Sequence, residues 1–137
     1  MRQLTVLFFL CLAVGCTKTG TTSYLLNGAW TPVKQEIAGT ALPATAFENQ
    51  KLILSDSTYS FSAESIDKGV VMYGDGKMDI YGRIGVNVGK HYTAIYKLEN
   101  DRLTICYNLA GDSYPNTFET KGKPRYLLCT FKKESTK

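Results

Sequence analysis

Three stretches of this chain are mirror-symmetric about a polar centre, and that symmetry constrains the fold more than any other feature. In Leu52 to Phe61, pairing Leu54 with Tyr59 also pairs Leu52 with Phe61, across Ser55-Asp56-Ser57-Thr58. Pairing Tyr73 with Met78 likewise opposes Val71 to Ile80 across Gly74-Asp75-Gly76-Lys77. In the third stretch Leu98 faces Leu103, Tyr96 faces Ile105 and Ala94 faces Tyr107 around Glu99-Asn100-Asp101-Arg102. Opposed residues of an antiparallel hairpin share a face, so each pairing sends its large apolar side chains one way and Asp79, Lys97 and Thr104 the other. From Trp30 onward no long 3.6-residue apolar pattern competes with this period of two.

Three four-residue hairpins, with a link marked by Asn87 and Gly89 between the second and third, make a six-stranded meander. A first strand around Ala29 to Ile37 and a last around Arg125 to Lys132 bring the expected total to about eight. The expected fold is therefore all-β, an antiparallel up-and-down sheet that protects its edges by closing into a barrel. Pro32 has no N–H to give a ladder, so a bulge or an edge is expected there. Pro43 is placed to start one short helical turn within Leu42 to Phe47, at one end of the barrel. The stretch Ala110 to Pro124 admits two readings, a lid at the barrel mouth or a simple cover with Phe118 tucked in, and the second is preferred.

Ahead of the domain lies a different kind of sequence. Arg2, the apolar run Leu4 to Leu12, and the small Gly15 before Cys16 follow the order of a secretory signal peptide. The run is far short of the ~20 residues that span a bilayer. Leu12-Ala13-Val14-Gly15-Cys16 resembles a bacterial lipobox, which implies cleavage after Gly15 and a lipidated Cys16, with Ala13 standing where leucine is usual. The expected organisation is a signal peptide over residues 1–15, the lipidated cysteine and a polar tether over 16–24, and the barrel over 25–137. Thr17 after the cysteine resembles outer-membrane sorting, and the absence of an acidic run in the tether favours the periplasmic face.

Cleavage leaves 122 of the 137 residues, enough for one core and one domain. Loss of Arg2 leaves 15 basic against 12 acidic side chains, too mild a surplus for nucleic acid, and no basic-aromatic motif accompanies it. A monomer is expected. With Cys11 removed and Cys16 lipidated, Cys106 and Cys129 remain in a compartment where a disulfide persists. A bond between them and two small buried thiols are both open readings.

The mature chain resembles an uncharacterised lipocalin-like bacterial domain common in planctomycetes. The resemblance rests on Leu26, Gly28 and Trp30, Leu42-Pro43, Lys51-Leu52 and Met78-Asp79-Ile80. Its strongest block is Ile95-Tyr96-Lys97-Leu98 with Asp101, Leu103, Ile105 and Cys106, followed by Pro115, Phe118, Leu127-Leu128 and Phe131-Lys132-Lys133. It departs at Ala94, Asn100 and Lys133. In lipocalins an arginine near the end packs over the tryptophan, and here Lys132, Lys133 or Arg125 has to take its place. The resemblance implies a lipocalin-like barrel and no particular activity.

Trp30, Tyr59, Phe61, Tyr73, Tyr92, Tyr96 and Tyr107 are the candidate interior and ligand-binding residues. They either line a pocket for a small apolar or amphipathic molecule, such as a fatty acid or lipid fragment, or fill the barrel completely. Strands of ~6 residues favour filling. Catalysis is not expected: His91 stands alone at a strand start and points outward, and Asp56, Asp75 and Asp101 read as turn formers. No metal or cofactor is expected, because Asp75 and Asp79 lack a loop with enough oxygen ligands. Lys121, Lys123 and Arg125 form a basic strip, read as solvated charge or as a contact for an envelope partner. If Cys16 carries the anchor, Cys16→Ala moves the protein from the membrane to the soluble fraction of its host. Retention of that variant in the membrane would rule out the lipid reading.

Overall fold

Two-residue turns set the sheet. The computed structural model describes residues 25–136. The elements are β1 (Gly28–Ile37), β2 (Thr40–Ala41), a 3-10 turn (Ala44–Ala46), β3 (Lys51–Ser55), β4 (Thr58–Ser62), β5 (Ile66–Gly74), β6 (Lys77–Ile84), β7 (His91–Glu99), β8 (Arg102–Asn108) and β9 (Tyr126–Lys133). All three hairpin registers are those read from the sequence: Leu54 opposes Tyr59, Tyr73 opposes Met78, and Leu98 opposes Leu103. The loops are tighter than expected, because Ser55–Thr58, Gly74–Lys77 and Glu99–Arg102 also pair and leave two residues between them. Positive φ at the first loop residue makes this feasible: 52° at Asp56, 50° at Asp75 and 56° at Asn100. Asp and Asn adopt that region more readily than most side chains.

Neighbouring strands pair in the order β2-β1-β3-β4-β5-β6-β7-β8-β9, and β1 also pairs with β9. The result is a closed eight-stranded antiparallel barrel of β1 and β3 to β9, with β2 as an extra strand folded back on β1. The β1–β9 register breaks between Pro32 and Lys34. A bulge therefore sits where Pro32 cannot serve the ladder; β1 meets β3 at residues 28–30 and β9 from residue 30 onward, so the bulge bends β1 within its pairing with β9, just past its pairing with β3.

One end of the barrel is closed by packing. Trp30 is fully buried and its indole Nε1 donates to the Leu26 carbonyl at 2.9 Å. Lys133 Nζ lies 5.3 Å from the centre of the Trp30 ring, so Lys133 is the cation over the tryptophan. Tyr73 and Tyr96 meet edge to face at 5.9 Å in the same core.

The other long connection takes the preferred of the two expected readings, a cover and not a lid, and it lies on the outside of the wall. The strap 109–125 runs over the outside of the barrel wall. Thr93 Oγ1 donates to the Ser113 carbonyl at 2.6 Å, and Asn108 Nδ2 donates to Asp112 Oδ1 at 2.8 Å. Tyr114 donates to Asp79, Lys97 Nζ sits 5.0 Å over the Phe118 ring, and Thr120 donates to Glu36. Asp79, Thr93, Lys97, Asn108 and Glu36 are all outward positions, so Phe118 is tucked against the outer wall and not into the barrel.

Cys106 and Cys129 are free thiols. Register explains why: Cys129 opposes Ile105, so the neighbouring Cys106 points to the opposite face of the sheet. Cys129 joins the interior core, Cys106 is buried on the outer face, and the disulfide reading is set aside.

Gly69 and Gly82 oppose each other across β5 and β6 beside a register shift. A Cβ on Gly82 would stand 1.8 Å from the Asn87 carbonyl oxygen, whereas one on Gly74 would meet nothing within 4 Å. Gly82→Ala is expected to cost about 3 kcal/mol or more through forced backbone displacement, and Gly74→Ala to stay within about 0.5 kcal/mol. Urea unfolding of the two variants side by side measures the contrast; equal losses would refute the steric account.

Candidate functional site: a cavity at the open end of the barrel

The interior is not filled. A cavity of about 350 Å³ occupies the half of the barrel away from Trp30, lined by residues from Leu52 and Leu54 on β3 round to Leu127, Cys129 and Phe131 on β9. Its floor and walls are apolar, with Leu54, Val71, Met78, Ile80, Ile105 and Phe131 among them. Its rim is formed by Gln35 at the end of β1, Gln50 before β3, Asn87 in the β6–β7 link, and Leu109 after β8. Small residues also face inward beside the larger ones: Ala94 brings one methyl group, and the places of side chains on Gly69 and Gly82 are taken by Tyr59 and by the Asn87 backbone.

Of the residues expected inside, Tyr59, Phe61, Tyr92 and Tyr107 line the cavity. Trp30, Tyr73 and Tyr96 pack in the core below it and are not part of its lining. The tyrosines and Phe61 face inward as alternation placed them, but alternation reports the face of a strand and not the depth along it.

The residue that organises the polar side of the cavity is one the hairpin patterns did not single out. Asp67 opposes Phe61 near the start of β5 and is buried, with 5% of its surface exposed. Tyr59 Oη donates to its Oδ2 at 3.0 Å, and Asn87 donates twice, from Nδ2 to Oδ2 at 2.9 Å and from the backbone N to Oδ1 at 3.2 Å. Tyr92 Oη donates to Asn87 Oδ1 at 2.8 Å. A second polar pair, Gln35 Nε2 to Gln50 Oε1 at 2.6 Å, lies on the rim. The signal for Asp67 was present in the sequence: stepping back by twos from Val71 passes Gly69 and reaches Asp67 on the inward face.

Burial, followed by the hydrogen bond to Asp67 and its charge, pushes the Tyr59 phenol well above its usual range. That phenol stays protonated and donating. Burial also raises Tyr107 and Tyr73, and lifts Cys106 to about 11 and Cys129 to about 12. The two thiols are poor nucleophiles at neutral pH.

On the outer wall His91 stacks on Tyr81, with ring centres 4.5 Å apart, and its Nε2 meets Asp79 Oδ1 at 2.8 Å. It points outward as expected. No group of three or more His, Cys, Asp or Glu suited to a metal ion occurs among the described residues. No family model, curated protein or solved structure matches the chain.

The buried acids carry a pH consequence with a definite sign. In the unfolded chain thiols ionise near 9.0 and phenols near 10.0, whereas the folded chain holds those protons to higher pH. Stability is therefore complete below about pH 9 and falls as pH rises towards 12, by about 1.4 kcal/mol per unit of separation for each group. Thermal melts across that range, with thiol alkylation in parallel, measure it. Modification of Cys106 or Cys129 in the native protein at pH 8, or a flat melting temperature up to pH 12, would contradict it.

Proposed function

We propose that this protein is a lipid-anchored, lipocalin-like envelope protein that binds a small amphipathic molecule and does not transform it. The carrying observation is the cavity of about 350 Å³, apolar in its depth and polar at one open end. Ligand cavities run from about 300 to 1,000 Å³ with a few placed polar groups among apolar walls, so this one belongs at the small end. A guest of roughly ten non-hydrogen atoms fits, at about the ~30 Å³ that a water occupies in the liquid. Its body would lie against Leu54, Val71, Met78 and Phe131, and its polar end would meet the Tyr59, Asp67 and Asn87 group.

A non-catalytic role is supported by how those polar groups are used. Tyr59, Asn87 and Tyr92 are engaged with Asp67 or with one another, a hydrogen-bonded arrangement suited to recognition. An unfilled interior favours a ligand over the alternative, a protein-interaction or inhibitor-type module with a filled core. The leader sequence supports the envelope location: Cys16 would hold the chain to the membrane a tether's length from the barrel's closed end, where Leu26 precedes β1.

Native mass spectrometry tests the binding reading. The chain from residue 17 onward, which includes every described strand and the described core, is expected to carry a small adduct from its native host that leaves on denaturation. A bare mass after purification from that host, combined with no uptake of any added amphiphile, would overturn it.

A further inference from the structure

The charge of the cavity narrows what it can hold. Among the residues that line it, Asp67 is the one carboxylic side chain and no lysine, arginine or histidine is present. The described ion pairs, Lys51–Glu134, His91–Asp79 and Lys97–Glu99, all lie elsewhere. Every described hydrogen bond to the Asp67 carboxylate comes from a neutral donor, Tyr59 or Asn87. Three bonds also leave part of its capacity of about four unused. A carboxylate taken out of water is costly unless it is both bonded and paired with a cation. Here the bonding is supplied by the protein and the pairing is not.

Resting on the binding function proposed above, we infer that the guest is a cationic amphiphile: an alkyl or aryl ammonium whose charged head meets Asp67 and whose apolar body enters the barrel. The rings beside the carboxylate favour the same head. Tyr59 opposes Gly69 and bonds to Asp67, Phe61 opposes Asp67 directly, and Tyr92 reaches the group through Asn87. Aromatic faces attract ammonium groups, so the mouth offers a cation both a full negative charge and the ring electrons around it. A fatty acid meets the reverse situation, because its carboxylate would enter a site whose charge has the same sign. The structure thus separates two ligands that an apolar cavity alone would treat alike.

Asp67 has a second use that the test must separate from the first. Its bonds to Asn87 hold the β6–β7 link across the rim, and Gly85, at φ 98°, packs so closely that a Cβ there would lie 2.9 Å from Asp67 Oδ1. A carboxylate serving only as a latch would have no preference for charged guests.

The experiment is displacement of the neutral two-ring fluorophore 1-naphthol, which is within the size the cavity admits, from the chain beginning at residue 17, at neutral pH and below micelle-forming concentrations. The competitors share one chain length: octylamine, 1-octanol, N-octylacetamide and octanoate. Octylamine is expected to compete roughly tenfold or more better than octanol, the scale of one charge-assisted hydrogen bond, with octanoate the weakest. Asp67→Asn should bring octylamine down to the level octanol shows in that same variant. If that variant does not fold, octylamine against N-octylacetamide on the unaltered protein decides, because acetylation removes the charge and keeps the chain. Equal affinity for those two, an octanoate affinity matching octylamine, or an unchanged preference in a folded Asp67→Asn would overturn the ammonium assignment while the cavity reading stands. Failure of the fluorophore and all four competitors to bind would remove the binding reading, and the ammonium assignment with it.

Discussion

Closure of β1 onto β9 is the constraint on which the remaining structure depends. Without it the sheet would end in two exposed ladders, and the inward side chains would have no opposite wall. One strand has to serve two neighbours, meeting β3 with its first residues and β9 with the rest. Pro32 is the means. Its missing N–H already interrupts the ladder, and the bulge that follows turns the strand through the corner that closure demands. The fully buried Trp30 lies just before this corner, where both pairings meet, so the best-packed part of the core and the closing of the barrel occupy the same place.

The two ends of the barrel spend their side chains differently. At the closed end Trp30, Tyr73 and Tyr96 fill the section, at the cost of leaving Tyr73 Oη buried without a hydrogen-bond partner among the described residues. At the open end the facing glycines of β5 and β6 reduce the inward volume, and Tyr59 covers Gly69 by packing its ring 2.7 Å from where a Cβ would stand. An aromatic laid over a facing glycine supports the sheet where the glycine leaves it bare.

Much of this was legible in the sequence, for a definite reason. Hairpin register is a local property, fixed by turn residues and alternation, so the partners of Leu54, Tyr73 and Leu98 could be read from spacing alone. The bulge at Pro32 and the outward His91 followed from equally local chemistry. Depth is not local. Whether Tyr96 or Tyr107 borders empty space depends on what seven other strands place at the same height, and alternation carries no such information. The four-residue loops were too long by two because polar residues such as Ser55 and Thr58 pair in a ladder as readily as they turn. Asp67 was hidden by the same habit of reading polar residues in short strands as solvent-facing. The path of the strap was not legible at all, since its anchors Asp79, Thr93 and Glu36 are far from it in sequence.

That strap works like a hoop around staves. It is fastened to β6 through Tyr114, to β7 through Thr93, to β8 through Asn108 and to β1 through Thr120, so sliding between those strands is resisted from outside. A barrel normally gains that resistance from a packed interior, and here half of the interior is given over to a cavity. Rigidity has been moved to the outer wall on one side, which leaves β3, β4 and β5 as the unhooped sector. Asp67 stands on that sector, and so the wall free to yield when a guest enters is the one that carries the charge.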